Sequence, residues 1–193
     1  MIRAFIAVEI PGEVRGRIAE AQARLRRAPV SVRISWVKIE NLHLTLQFLG
    51  HIDEAVVPAI REALEAVARR HAPFEVAVQG AGAFPSVARP RVIWVGCAAG
   101  ARELEALAGA VQAAMEPLGF PREQRAFAAH LTLGRLKVPR ADAALTKALD
   151  SVKNADLGRM RVEAIHLVQS QLDPQGSIYT KLSSHRLGGT ALA

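Results

Sequence analysis

The tetrapeptide His-Leu-Thr-Leu occurs twice in this chain, as His43-Leu44-Thr45-Leu46 and as His130-Leu131-Thr132-Leu133. An extended strand sends successive side chains to opposite faces, so each copy sets its histidine and threonine on one face and its leucines on the other. With six histidines and five threonines in 193 residues, shuffling would give roughly 0.16 His-x-Thr triplets per chain, and the flanking leucines cut that about a hundredfold. A single histidine beside apolar residues is usually structural. Two identical copies point instead to a duplicated half-site, a natural way to build one active site between two similar lobes.

Suppose both strands face a common cleft, with His43 and His130 on opposite sides of one bound group. One neutral imidazole could then take a proton from water while the other, protonated, gives one to a leaving oxygen, which is general acid–base catalysis of displacement at phosphorus. Thr45 and Thr132 would offer hydroxyl donors to the non-bridging oxygens. Arg135 lies five residues past His130, an odd offset that points to the other face of a regular strand. A bulge or twist at the strand end would bring its charge round to the phosphoryl oxygens.

Competing chemistries fit worse. Neither motif has a nearby Cys, Asp or second His, so no metal is expected. No Gly-x-Ser-x-Gly occurs, and Gly80-x-Gly82 lacks the third glycine and the following helix of a dinucleotide fingerprint. Cys97, the single cysteine, ends an apolar run and reads as a buried inert thiol. His51 and His71 read as solvated, His166 as structural or at most a cleft wall, and His185 as part of the tail.

The elements that must hold these residues follow from periodicity. Residues 2–10 read as a strand that Pro11-Gly12 stops, and a helix to about Arg27 carries Val14, Ile18, Ala21 and Leu25 as its apolar stripe. A strand from Val32 to Val37 leads to the first motif strand, Leu42 to Leu49, closed by Gly50. Asp53 caps a helix over about Glu54 to Arg70, striped by Val57, Ile60, Leu64 and Val67. Phe74 to Val78 reads as a strand, Gly80 to Ser86 as a loop, and Val92 to Cys97 as a strand buried on both faces. A helix from about Ala101 to Leu118 ends at Gly119. The second motif strand covers about Phe127 to Leu136, and Asp142 to Ser151 a shorter helix. Strands at 160–169 and 177–183 close the chain across the turn Asp173-Pro174-Gln175-Gly176. Residues 2–78 thus read β-α-β-β-α-β, and residues 92–169 read much the same, with one extra strand at the end. The expected architecture is α+β: a single domain over 1–193 of two packed lobes, from sequence halves about 1–80 and 90–185, with strands exchanged between lobes as a variant.

Half of the residues are hydrophobic, enough for a proper core, and one cysteine excludes an internal disulfide, which fits a reducing cytoplasm. Glu9 and Pro11 break the first apolar run too early for a signal peptide, and no run approaches the ~18 apolar residues of a membrane span. The net charge of +7, mostly arginine, favours a polyanionic partner.

These residues carry a family resemblance. The paired motifs, about ninety residues apart, resemble the two-histidine phosphoesterase superfamily. More specifically the chain is similar to the bacterial and archaeal RNA 2′,3′-cyclic phosphodiesterases, first named 2′-5′ RNA ligases. The likeness runs nearly end to end, through Arg3-Ala4-Phe5-Ile6-Ala7-Val8, Trp36-Val37, Glu40 to Leu46, Phe48-Leu49-Gly50, Phe84-Pro85, Arg91 to Gly96, Phe127 to Arg135, and Ser170-x-Leu172 before Gly176-x-x-Tyr179. One departure is Ala129, where the family usually has proline.

The resemblance implies a bilobal α+β fold with two pseudo-symmetric lobes of mainly antiparallel sheet, outer helices and a central cleft. It implies cofactor-free, metal-independent opening of an RNA 2′,3′-cyclic phosphate to a 2′-phosphomonoester by a monomer, with 2′-5′ ligation as the reverse reaction. His130 would activate water, His43 would protonate the leaving 3′ oxygen, and Thr45, Thr132 and Arg135 would hold the phosphate. Phe84, in the expected loop, is a candidate stacking surface for a terminal base. Two rival readings are the same chemistry on a small cyclic nucleotide or ADP-ribose cyclic phosphate, and an RNA-binding module without catalysis.

Overall fold

The structure is a computed structural model, and it describes residues 1–174 and 176–189. Nine strands and four helices are found among the described residues. In chain order they are β1 Ile2–Glu9, α1 Gly12–Arg26, β2 Ile34–Trp36, β3 His43–Ile52, α2 Val57–Arg69, β4 Phe74–Phe84 and β5 Val92–Cys97. Then come α3 Ala101–Met115, β6 His130–Leu136, α4 Ala143–Val152, β7 Asp156–Val162, β8 Ala164–Gln171 and β9 Ile178–Arg186. No helix among the described residues is long and apolar enough to cross a membrane.

The helices form where the apolar stripes and caps lie. Ile18 and Leu25 of α1, Ile60 and Leu64 of α2, and Leu104, Leu107, Val111 and Met115 of α3 are fully buried, each stripe turning one helix face onto a sheet. The Asp53 carboxylate accepts from the Ala55 amide, and that of Asp142 accepts from the Leu145 amide, each satisfying a free N–H at a helix start. Gly119 closes the turn after α3 at φ +89°, a conformation that costs glycine nothing.

Two antiparallel sheets carry the fold, in the orders β3-β1-β8-β9 and β2-β6-β5-β4-β7. Each draws strands from both sequence halves: β8 and β9 complete the sheet of the first motif, while β2 and β4 flank that of the second. Spatial neighbourhood therefore does not follow the order of elements within each half. The motif leucines Leu44, Leu46, Leu131 and Leu133 are all buried, so both motif strands are anchored as alternation predicts.

Several boundaries differ from the sequence expectation. Gly50 does not close β3; it takes φ +73° and the strand runs on to Ile52. The glycine-rich stretch from Gly80 is no loop but the second half of β4, which pairs with β5 through Phe84. A Cβ on Gly82 would lie 2.5 Å from the Trp94 ring and one on Gly80 2.7 Å from the Lys153 carbonyl oxygen, so both positions need glycine inside a strand. Strand β5 is buried at Ile93 and Val95 on one face, while Val92 and Trp94 on the other are half-exposed. The segment expected as one strand over 160–169 is two, β7 and β8, broken at Glu163. Strand β9 extends to Arg186, so His185 is a buried strand residue rather than tail. The Gly176 amide donates to the Asp173 carbonyl at 2.9 Å across the β8–β9 turn, of which Gln175 lies outside the described residues.

Candidate active site

The two motif strands contain the same irregularity at the same place. Against β1, Ala7 pairs with Thr45 but Ile6 pairs with Gln47, leaving Leu46 as an extra residue. Against β5, Trp94 pairs with Thr132 but Ile93 pairs with Gly134, leaving Leu133 as the extra residue. A bulge of this kind shifts the phase of everything beyond it. Consequently residues 43, 45 and 48 share one face of β3, and residues 130, 132 and 135 share one face of β6, with buried residues between them. The bulge brings Arg135 round to its histidine's face. Gly134 is required there, because a Cβ would sit 2.9 Å from Ile34 and 3.0 Å from Trp36.

Both faces line one cleft of about 430 Å³, which gathers His43, Thr45, His130, Thr132 and Arg135. Phe48, 53% exposed, is on the same wall as His43, at the position that Arg135 occupies in the other copy. Sequence reasoning missed it: five residues from His43 is the wrong phase for a regular strand. Superposing the two motifs, which aligns Phe48 with Arg135, would have found it. Arg3, Asn41 and Tyr179 line the cleft as well.

The imidazoles are held alike. The Nδ1 of His43 lies 2.8 Å from the Asn41 carbonyl and the Nδ1 of His130 lies 2.7 Å from the Ala128 carbonyl. A carbonyl only accepts, so each Nδ1 carries the proton and each Nε2 is left for the cleft. Ala129 leaves this arrangement intact, as does Leu42 at the matching place in the first motif. Phe5 tilts against His43 at 4.5 Å and Tyr179 meets it edge-on at 5.2 Å. Phe84 packs edge-on against His130 at 5.0 Å and tilts against Trp94 at 5.1 Å. Phe84 is thus half-buried at the end of β4, braced on a histidine, and not in an exposed loop.

The electrostatics of the two rings match. Burial comes first in holding His43 below the ordinary histidine value of 6.5; the bond to Asn41 opposes it, and the charges of Arg135 and His130 lower it further. Burial and Arg135 likewise depress His130 against the bond to Ala128. Both rings are therefore easily made neutral near physiological pH, which suits a proton acceptor, and an anionic ligand would restore the charge that a donor needs. No ion pair engages Arg135 among the described residues, so its fork is available to a phosphate.

The remaining groups lie elsewhere. Cys97 is half-buried, its thiol pushed up to about 12 by burial, which removes it as a nucleophile. The Nδ1 of His71 meets the Val67 carbonyl at 2.9 Å, and the Nδ1 of His185 meets Glu65 at 3.0 Å. His51 is exposed beyond the bulge in β3. His166 is buried beside the cleft near Glu9. Among the described residues no group of three or more His, Cys, Asp or Glu side chains could hold a metal ion.

Comparison with known proteins agrees with the duplication. The sequence profile of the LigT-like phosphoesterases matches twice, over residues 8–94 and 95–179. The chain is 34% identical to the RNA 2′,3′-cyclic phosphodiesterase of Methanothermobacter thermautotrophicus over 96% of its own length and 99% of that protein's. Its fold superposes on the crystal structure of TT0787 of Thermus thermophilus with a TM-score of 0.80 at 34% identity, covering 97% of this chain and 99% of that one. The structure of Escherichia coli LigT complexed with 3′-AMP gives a TM-score of 0.75 at 26% identity over 96% of this chain and 98% of that one. With both halves matched by one profile and both motifs on one cleft, the chain belongs to the LigT-like phosphoesterase family.

Proposed function

We propose that this protein is an RNA 2′,3′-cyclic phosphodiesterase that opens terminal cyclic phosphates to 2′-phosphomonoesters without a metal or cofactor. The observation that carries the reading is the pairing of two imidazoles, each with Nδ1–H tied to a carbonyl two residues back, across a cleft that also holds two threonines and an arginine. Neutral His130 takes a proton from water at Nε2 as the water oxygen bonds to phosphorus. The P–O3′ bond breaks, and protonated His43 gives its Nε2 proton to O3′, leaving a 3′ hydroxyl and a 2′-phosphate. The assignment of His130 as base and His43 as acid follows the family resemblance. Thr45 and Thr132 donate to the non-bridging oxygens, and Arg135 stabilises the charge that builds there. With a 5′ hydroxyl in place of water, the same steps join two RNA ends through a 2′-5′ linkage.

Phe48 gives the terminal base an exposed aromatic face on the cleft wall, a role to which Phe84, occupied with His130 and Trp94, is less suited. Binding of 3′-AMP by E. coli LigT supports a site that accepts a ribose phosphate. One chain supplies both motifs, which supports a monomer as the active unit, with the two lobes acting as one domain. Its lone unpaired cysteine suits the cytoplasm. The test is to incubate the protein, in chelator, with RNA ending in a 2′,3′-cyclic phosphate. The expected product is the 2′-phosphate, and His43→Ala and His130→Ala should each lower the rate about 10²–10⁴-fold. A 3′-phosphate product, or a strict need for divalent metal, would overturn the proposal.

A further inference from the structure

Behind the ring of His43 lies a second cavity of about 310 Å³, which shares Phe5, Asn41, His43 and Tyr179 with the catalytic cleft. That volume is within the range of sites that seat small ligands. Among the described residues, two buried side-chain nitrogens without a hydrogen-bond partner belong to residues lining it, Nε of Arg15 and Nδ1 of His166. His166 is only 6% exposed. Buried polar groups are rarely left unpaired without a use.

The charges decide what kind of ligand would pair them. The cations Arg15 and Lys181 are matched by the carboxylates of Glu9 and Glu40. Lys181 Nζ lies 2.8 Å from Glu9, and His166 is held towards its neutral form by burial. A balanced pocket of this kind does not attract a phosphate, whose oxygens would meet two carboxylates. It suits a neutral group with acceptors for Arg15 and amino hydrogens for Glu40, bounded by the aromatic Phe5 and Tyr179. Nucleobases have that chemistry. The two cavities share the His43 wall, so the second lies beside a phosphate held between the histidines, on the side where the neighbouring nucleotide would sit.

We propose that this second cavity is a subsite for the nucleobase of the nucleotide preceding the cyclic-phosphate end, a proposal that rests on the cyclic phosphodiesterase reading. The Nε–H of Arg15 donates to a ring nitrogen or carbonyl oxygen, and Glu40 accepts from an exocyclic amino group.

The experiment compares three substrates: adenosine 2′,3′-cyclic phosphate, the dinucleotide ApA ending in a 2′,3′-cyclic phosphate, and the same dinucleotide lacking its first base. The intact dinucleotide should exceed both others in kcat/KM by about tenfold, mainly through KM, the order that one seated base contributes. Arg15→Met and Glu40→Gln should each remove that advantage while leaving the mononucleotide rate unchanged. Glu40 is exposed on the short turn Ile39–Asn41, so its variant keeps the test valid if Arg15→Met misfolds. Equal kcat/KM for the intact and abasic dinucleotides would overturn the subsite, as would an advantage that survives both substitutions. If the wild-type protein opens none of the three substrates, the cyclic phosphodiesterase reading falls and takes the subsite with it.

Discussion

Gln22 sits on α1, far from Arg135 in sequence, yet it braces the bulge that aims this arginine. It is 2% exposed, and its Nε2 donates to the Val37 carbonyl at 2.8 Å and to the Leu133 carbonyl at 3.1 Å. Leu133 is the extra residue of the β6 bulge, and its carbonyl also accepts from the Val37 amide at 2.9 Å. Gln22→Leu keeps the volume and removes both donations, so Leu133 retains one partner while the Val37 carbonyl loses the one that Gln22 supplies. An acceptor left unpaired in the interior costs about 1–3 kcal/mol, and the Val37 carbonyl, half-buried at the cleft, costs about 1 kcal/mol. At about 2–4 °C per kcal/mol for a chain of this size, Tm should fall by roughly 2–4 °C. Activity should fall too, because an ångström of drift in a catalytic group costs up to about a hundredfold. Thermal unfolding by circular dichroism and cleavage kinetics read the two effects separately. If Gln22 acts through Arg135, its substitution should lower kcat/KM in the wild-type background and very little in an Arg135→Ala background. Equal losses in both backgrounds, or an unchanged Tm, would refute the reasoning.

The pH dependence of kcat/KM should be bell-shaped and centred below the ordinary histidine value of 6.5, since both rings are depressed in the free protein. Arg135 lowers both rings, so Arg135→Ala should ease their protonation and move the bell to higher pH; a shift to lower pH in the pH–rate profile would contradict this. Phe48→Ala should raise KM by about tenfold, as expected for a lost stacking face. Phe84→Ala should instead lower kcat by freeing the His130 ring, and steady-state kinetics showing the opposite split would reverse the two roles.

Much of this site is legible in the sequence because its chemistry is written in a repeat. His43, Thr45, His130 and Thr132 need only strand alternation to fall on two shared faces. Arg135 needs a bulge to join them, and the same bulge in β3, which alternation alone does not reveal, brings in Phe48. The glycines near Phe84 mislead for a local reason. Gly-Ala-Gly-Ala ordinarily signals a turn, but here Gly82 makes room for Trp94 on the neighbouring strand and Gly80 lies against the Lys153 carbonyl. His185 is misplaced similarly by local reading, since its partner Glu65 is 120 positions away.

Local pattern suffices for the helices, the anchoring leucines, the motif faces and the family likeness, because each rests on periodicity or identity within a few residues. Only the assembled fold settles which strands exchange between the two sheets, that both bulges fall three residues after a histidine, and that Gln22 braces one of them. It also sets a charge-balanced cavity behind His43. Those features depend on register and packing between segments far apart in the chain, and no local arrangement of side chains encodes them.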